Sequence, residues 1–425
     1  MAPSLGIIAD DFTGAVMVAA MLETEGISCP VIFDPAALAG AEAAPILMVA
    51  ARSRTVAVKE AMAEVAQIAD RLTAAGCARL AYKACASFDS TEAGNIGPAA
   101  DLLAGRAGRR PVLMSAGFPR FGATVHQGYL FYRGRLVSES IKRLDPLTPM
   151  NDPDLVRFLG RQTPHPVGLI PHAQLLQGLD AARAALGQAT AAGMGHVLCD
   201  ASDDTDVEVT AELALQSGLP VAASDPLIVA LARRLARGRA AVPISARMPD
   251  GPVAILAGST GPVVMEQLAR LAGRHPVLTL DLLDARGETA AVAAALEWAA
   301  AQDGPFAVST AAEAADLART QAALGAIGAA RRAEAMLAAV AKGLRDRGRR
   351  RFVVAGGETS GAVVAGLGLA RARALPEGAL GLGGCLTEGA DPLALFLKPG
   401  KLGAADILLR AAAGACFEPQ KGNLE

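Results

Sequence analysis

The chain has 425 residues, a formal net charge of −2, 52% hydrophobic residues and 19% charged ones. Its length exceeds a single core and calls for two or three domains of about 100–200 residues each, while the hydrophobic share excludes large-scale disorder. A near-neutral balance offers nothing to recruit nucleic acid or an anionic membrane, so neither is an expected partner.

No uninterrupted apolar run reaches about 18 residues, and the first residues enter an apolar strand without a signal-peptide pattern. A cytoplasmic location is expected. The six cysteines, Cys29, Cys77, Cys85, Cys199, Cys385 and Cys416, lack CxxC or CxxH spacing and read as buried thiols. The five histidines are equally dispersed. No metal-ligand cluster is expected, and a magnesium ion arriving with a nucleotide would need none.

In chain order, residues 5–9 form a first apolar strand that ends in Asp10-Asp11, and Phe12-Thr13-Gly14 turns the chain into a helix over 15–25. Carboxylates at the carboxyl end of a parallel strand sit where open α/β sheets bind ligands; one of the two would suffice as a helix cap. Strand-like runs recur at 30–33, 45–51, 79–84 and 111–116, separated by helical patterns at 58–75 and 95–104. The alternation indicates a largely parallel sheet covered by helices. Polar residues follow these strands again: Arg52-Ser53-Arg54-Thr55 after the third, and Lys83 through Asp89, Ser90 and Thr91 after the fourth. Arginine can fork onto a carboxylate, lysine supplies a point charge, and aspartates accept hydrogen bonds from hydroxyls, which suits an anionic polyol. Each residue taken singly could equally be a surface ion-pair partner.

A loop-rich section with hairpin character runs over 117–153, and further αβ units begin at 167–170 and 197–202. The glycine- and proline-containing stretch 238–251 reads as a linker. A second α/β domain opens with the strand 253–257, whose Gly258-Ser259-Thr260-Gly261 turn precedes a helix at 262–271. Strands at 277–280 and 306–309, helices at 287–301 and 330–345, and a late strand at 394–397 followed by Lys398-Pro399-Gly400 fill the domain. Arg349-Arg350-Arg351 reads as the solvated end of a helix, and the tail over 417–425 as disordered. The fold class is therefore α/β in two domains, 1–237 and 252–416, each a mostly parallel sheet flanked by helices, with a ligand cleft expected between them.

Residues 353–364 carry the most explicit binding pattern: a β-branched run, Gly356-Gly357, then Glu358, Thr359 and Ser360 leading into an apolar helix. Adjacent glycines let backbone approach a ligand, and the first helical amides face it with the positive end of the helix dipole behind them, which suits phosphate. Thr359 or Ser360 as a plain N-cap is the competing reading. No Lys follows the glycines as in a P-loop, and no GxGxxG occurs in the chain.

Together, Ala9-Asp10-Asp11-Phe12-Thr13-Gly14-Ala15, Ser53-Arg54-Thr55, Phe88-Asp89-Ser90-Thr91 with Gly94-Asn95-Ile96-Gly97-Pro98, Pro146-Leu147-Thr148-Pro149-Met150, and Ala355 through Val364 resemble the four-carbon acid sugar kinases, in particular their 3-oxo-tetronate kinase branch. The resemblance covers nearly the whole chain in order. It implies an ATP-dependent kinase using nucleotide-bound Mg2+, with the sugar acid on the amino-terminal domain and ATP on the carboxyl-terminal one. Nucleotide contacts carry over onto Ser259, Gly356, Gly357, Glu358, Thr359 and Gly400. Substrate-side residues carry over onto Asp10, Asp11, Arg54, Lys83, Asp89 and Ser90. Asp10 or Asp89 would orient or deprotonate the attacking hydroxyl, and Lys83 would offset negative charge. A homodimer is an expected assembly.

The chain departs from the family pattern at four places. Val16 and Met17 stand where an aspartate follows the Thr-Gly-Ala. Pro119-Arg120-Phe121-Gly122-Ala123 replaces a Pro-Glu-Asn-Gly-Arg loop. Pro399-Gly400-Lys401-Leu402-Gly403 replaces a Ser-Gly-Asn-Phe-Gly, and Leu380 to Cys385 replaces a Pro-Gly-Val-Pro stretch. These changes leave open a different, branched or longer, sugar acid, or a catalytically weakened homologue that binds nucleotide or sugar acid. A dinucleotide-dependent oxidoreductase is disfavoured by the missing fingerprint.

Overall fold

The computed structural model describes residues 2–418 apart from 42, 146, 245, 312 and 313. The tail expected at 417–425 therefore lies outside the described residues from 419 onward, as does Pro146. The chain divides into two units, Met1–Val18 with Glu25–Val242, and Ala19–Thr24 with Pro243–Glu425.

The strands of the first unit are β1 (Leu5–Ala9), β2 (Pro30–Ile32), β3 (Ile46–Ala50), β4 (Leu80–Lys83), β5 (Val112–Ser115), β6 (Ala123–His126), β7 (Tyr129–Tyr132), β8 (Arg135–Leu136), β9 (Val167–Ile170), β10 (His196–Cys199) and β11 (Val221–Ala223). Its helices are α1 (Phe12–Thr24, whose last turns count with the second unit), α2 (Val58–Ala74), α3 (Ile96–Ala107), α4 (Leu155–Gly160), α5 (His172–Leu175), α6 (Leu179–Ala191), α7 (Asp204–Ser217) and α8 (Asp225–Leu235). The main sheet runs β2-β3-β1-β4-β11-β5-β10-β9, every pair parallel. Central strands β1 and β3 are buried at every position, as continuous apolar runs must be when helices cover both faces. Because β3 lies on one side of β1 and β4 on the other, the loops leaving β1 and its neighbours diverge there and open a crevice at the carboxyl ends. α1 begins at Phe12, earlier than the glycine at 14 led us to expect, because Asp11 caps the helix start through the Gly14 amide.

The hairpin section becomes a separate antiparallel sheet, β6-β7-β8. Its turns at Gln127-Gly128 and Arg133-Gly134 have positive φ at both positions, the geometry whose twist matches a two-residue hairpin.

The second unit contains β12 (Val253–Ala257), β13 (Val277–Thr279), β14 (Phe306–Ser309), β15 (Arg351–Ala355), β16 (Arg371–Ala374), β17 (Gly384–Leu386) and β18 (Ala394–Lys398). Its helices are α9 (Pro262–Ala272), α10 (Glu288–Ala300), α11 (Ala314–Asp346), α12 (Gly357–Gly366) and α13 (Ile407–Ala412). The sheet order is β13-β14-β12-β15-β18-β17-β16, parallel through β18 and antiparallel beyond it. α11 starts well before the expected 330 and is broken at Gly325, whose φ of 72° no continuous helix allows.

Two expectations need correction. Arg349, Arg350 and Arg351 are not a solvated helix end: they bridge α11 to β15, with guanidinium groups over Phe306, paired to Asp391, and over the buried ring of Phe417, respectively. Cys85 is half-buried, whereas the other five cysteines are buried. Among the described residues no helix is long and apolar enough to cross a membrane.

Candidate active site

In the first unit the polar strand ends meet. Asp10 lies one residue past β1, and both its carboxylate oxygens receive Arg54, Nε at 2.8 Å and Nη2 at 3.0 Å. The Cys85 amide adds a third bond at 3.2 Å. Asp11 does two jobs at once: Oδ1 caps α1 through the Gly14 amide at 2.8 Å, and Oδ2 meets Arg54 Nη1 at 3.0 Å. The capping alternative was thus half of the answer. Lys83 Nζ, at the last position of β4, stands 3.7 Å from Asp10, 4.0 Å from Asp11 and 3.6 Å from Asp225. A Cβ on Gly14 would fall 2.0 Å from that ammonium, so only glycine lets the helix start this close to Lys83.

Asp10, Asp11, Lys83 and Asp225 are each less than 10% exposed. Burial by itself would raise the Asp11 carboxyl, but Arg54, Lys83 and the Gly14 amide outweigh it and hold it below the ordinary carboxylate range. Burial likewise opposes the charges of Lys83 and Arg54. The facing carboxylates prevail, led by Asp225 for Lys83 and by Asp10 for Arg54, and keep both cations above their ordinary values. At Asp225 the balance goes the other way: burial pushes its carboxyl up, Lys83 only partly offsets this, and Asp11 and Asp10 add to the rise.

Asp89 belongs to an adjoining pair. Lys142 Nζ reaches its oxygens at 2.7 and 3.1 Å, and the Ser87 hydroxyl donates to it at 2.8 Å. Lys142 also stands 5.2 Å from the Tyr132 ring centroid. Burial disfavours its charge, yet Asp89 and its neighbours hold the ammonium up at about 12. Ser90 is buried, its hydroxyl accepting the Gln162 amide at 3.2 Å. Asn95 fastens the Arg54 loop from behind, donating to the carbonyls of Ser53 at 2.6 Å and Val56 at 2.9 Å.

The second unit brings its three glycine turns together at the ends of adjacent strands β12, β15 and β18. Gly258 and Ser259 amides reach the Ala355 carbonyl, and the Gly356 amide bonds to the Lys398 carbonyl at 2.9 Å. A Cβ on Gly258 would lie 2.1 Å from Thr359 Oγ1, one on Gly356 2.7 Å from the same atom, and one on Gly400 2.6 Å from Ser259 Oγ. This is a cradle of bare backbone. The N-cap of α12 is Gly356, not Thr359 or Ser360; no side chain caps the helix, and Ser360 instead donates to the Gly356 carbonyl at 2.7 Å. The uncapped amides at residues 357–359 and the shape of the cradle fit a phosphate chain. Lys398, fully buried, donates to the carbonyls of Pro399 at 2.7 Å and Leu402 at 2.9 Å, and Gln267 holds the same turn. With no carboxylate in ion-pair reach among the described residues, burial lowers its ammonium to about 7.

Reasoning from residue types alone missed Lys142, Asp225 and Lys398. Asp225 and Lys398 did have a signal, since each sits at the carboxyl end of an apolar strand. Lys142, on a short 3-10 turn, had none. The departing residues are accommodated locally: Met17 is buried in α1, Ala123 is buried at the start of β6, and Arg120 stacks over Phe118 and Phe121. The fold also gathers His172, Asp203 and Asp206, scattered in the sequence, so that one ligand atom of each lies within 4.8 Å of the others. Both Asp206 oxygens already serve His172, and Oδ2 serves the Ser202 amide as well.

Residues 5–231 match the family model described as a sugar-binding N-terminal domain, and residues 254–408 the one described as a nucleotide-binding C-terminal domain. A Methylobacterium radiotolerans protein named 3-oxo-tetronate kinase is 40% identical over 97% of this chain and 99% of its own length, and a Burkholderia multivorans protein of that name is 39% identical over 97% and 98%. A crystal structure from Salmonella typhimurium LT2, described as a candidate tRNA synthase, superimposes with a TM-score of 0.81 at 31% identity, covering 96% of this chain and 98% of the other. That description is shared by neither the family models nor the curated relatives. A Haemophilus influenzae structure follows with a TM-score of 0.71 at 28% identity, covering 96% and 99%. On both the domain models and the full-length relatives, the chain belongs to the four-carbon acid sugar kinase family.

Proposed function

We propose that this protein is an ATP-dependent kinase that phosphorylates a hydroxyl of a four-carbon sugar acid of the 3-oxo-tetronate or tetronate type. The observation that carries the reading is the buried meeting of Asp10, Asp11, Arg54 and Lys83 inside a sugar-binding domain, within a chain whose full-length relatives bear that kinase name.

ATP supplies the phosphoryl group, and the Mg2+ that accompanies it neutralises charge on the phosphates. Ser259, the amides at Gly357, Glu358 and Thr359, and the Gly356 and Gly400 backbones hold the nucleotide. Phosphoryl transfer asks little covalent chemistry of the protein, so the residues of the first unit act mainly by positioning. Asp10, locked by two guanidinium bonds, accepts a hydrogen bond from the acceptor hydroxyl and takes its proton as the new bond forms. Lys83 balances the negative charge that gathers there. Asp89, fixed by Lys142 and Ser87, accepts from a second hydroxyl and sets the register of the chain. Asp11 and Arg54 hold the rest of the substrate-facing surface in place, and Ser90 supports it through Gln162.

The test is a coupled ADP-release assay with Mg-ATP over erythronates, threonates, their 3-oxo derivatives, and branched or longer sugar acids. Turnover on one of them at about 1 per second or faster, the ordinary enzyme range, is expected. The departures at Met17 and Ala123 favour one other outcome, a binding protein. It would show ATP raising the melting temperature while no acid in the panel releases ADP.

A further inference from the structure

Asp225 has no task in the kinase scheme above, and the family resemblance assigns it none. It is the first residue of α8, just past β11, and β11 pairs with β4 so that Ala223 stands opposite Lys83. The charged groups facing it are Lys83 from β4, and Asp10 and Asp11 from the corner between β1 and α1, with Arg54 from the loop after β3 behind them. Three carboxylates thus face two cations, a net charge of −1. Lys142 next to them is engaged by Asp89. No cation of the group is spare: Arg54 is spent on Asp10 and Asp11, and Lys83 is shared among three carboxylates.

A sugar acid adds a carboxylate of its own to this buried, already negative place. Either binding is poor, or a proton must come with it. Protonating Asp10 would forfeit the forked Arg54 contact and the Cys85 amide bond, and protonating Asp11 would forfeit Arg54 and the cap on Gly14. Asp225 has far less to lose. Among the described residues its side chain has one ion-pair partner, Lys83 at 3.6 Å, beside a hydrogen bond from its own amide, and its burial outweighs both and favours the neutral carboxyl.

Resting on the kinase reading, we infer that Asp225 makes acid binding proton-linked: the sugar acid binds together with one proton from solvent, which resides on the Asp225 carboxyl and leaves the Lys83 ammonium one carboxylate fewer to balance. A neutral polyol brings no charge and recruits no proton.

Isothermal titration calorimetry of the full chain with erythronate, threonate and neutral erythritol, each in two buffers of different ionisation enthalpy, counts the protons. About one proton is taken up per acid bound and none per erythritol, and acid affinity weakens by up to about tenfold per pH unit as pH rises. In Asp225→Asn the uptake and the pH dependence disappear, and at pH 8.5 the acid binds at least about tenfold more tightly than to the wild type. Binding and turnover of an acid with no proton uptake by the wild type overturns this inference and leaves the kinase intact. Failure of every acid to bind overturns both. The wild-type proton count stands even if Asp225→Asn does not fold.

Discussion

The two candidate sites are made of opposite materials. The sugar-acid side is built of buried charged side chains, Asp10, Asp11, Arg54, Lys83 and Asp225, each fixed by the others. The nucleotide side is built of backbone, with Gly258, Gly356 and Gly400 cleared of side chains and Lys398 tying the last turn from within. A phosphate chain is the same in every nucleotide, so amides at a helix start and bare glycine suffice to hold it. A sugar acid differs from its neighbours in hydroxyl placement and charge, and only directed side chains distinguish those. The departures from the family pattern on the sugar side therefore bear on which acid is used, and those on the nucleotide side on how well ATP is held.

The contrast can be broken by substitution. The largest effect is expected from Asp10→Asn. It should lower kcat on the sugar acid by about 10²–10⁴-fold, the usual worth of a proton-transfer group, while leaving the ATP-dependent rise in melting temperature unchanged. An effect confined to KM would remove Asp10 from the chemistry. Lys142→Met removes the ammonium that reaches both Asp89 oxygens inside the fold, and should destabilise the protein by about 3–5 kcal/mol in urea melts, the cost typical of halving a buried ion pair. An unchanged midpoint would mean that the pair is solvated in the working protein.

Gly258→Val strikes only the backbone-built side. Its Cβ would collide with Thr359, and a displacement of this size should raise the KM for ATP by about 10²-fold, with sugar-acid binding intact by calorimetry. Loss of acid binding as well would deny that the two sites are independently built. The smallest effect belongs to Lys398. In the folded chain its pKa lies at about 7, against 10.5 for the ordinary side chain, so between these values the unfolded chain binds the additional proton. Its contribution therefore grows as pH rises from about 7 towards 10 and is lost as pH falls back towards 7. Lys398→Met should flatten the pH dependence of stability over that window by about 1–3 kcal/mol, measured by urea unfolding at pH 7 and 9.5.

Much of the fold was legible because its cues are local. The strands at β1, β9, β12 and β14 follow from apolar runs, and α2 from an apolar stripe at helical spacing, Ala61, Val65, Ile68, Ala69 and Leu72. β16 and β17 were not legible: Arg371–Ala374 has arginines in a short strand, and Gly384–Leu386 is glycine-rich, so neither carries a strand pattern of its own. β17 is a strand because β18 presents an edge to pair with, and β16 because β17 does so in turn.

By itself the sequence determined the chemical inventory of this protein: acids, an arginine and a lysine after successive strands of one half, and glycine-hydroxyl turns after strands of the other. Those signals survive in one dimension because strand, turn and helix start are set by neighbours a few residues apart. Only the tertiary structure decided how the charges are shared: that Arg54 forks onto Asp10, that Lys142 answers Asp89 across 53 positions, and that Asp225 completes the ring around Lys83. Electrostatic energy depends on distance and burial through space, and the order of residues along a chain contains neither until the sheet brings β1, β3, β4 and β11 side by side.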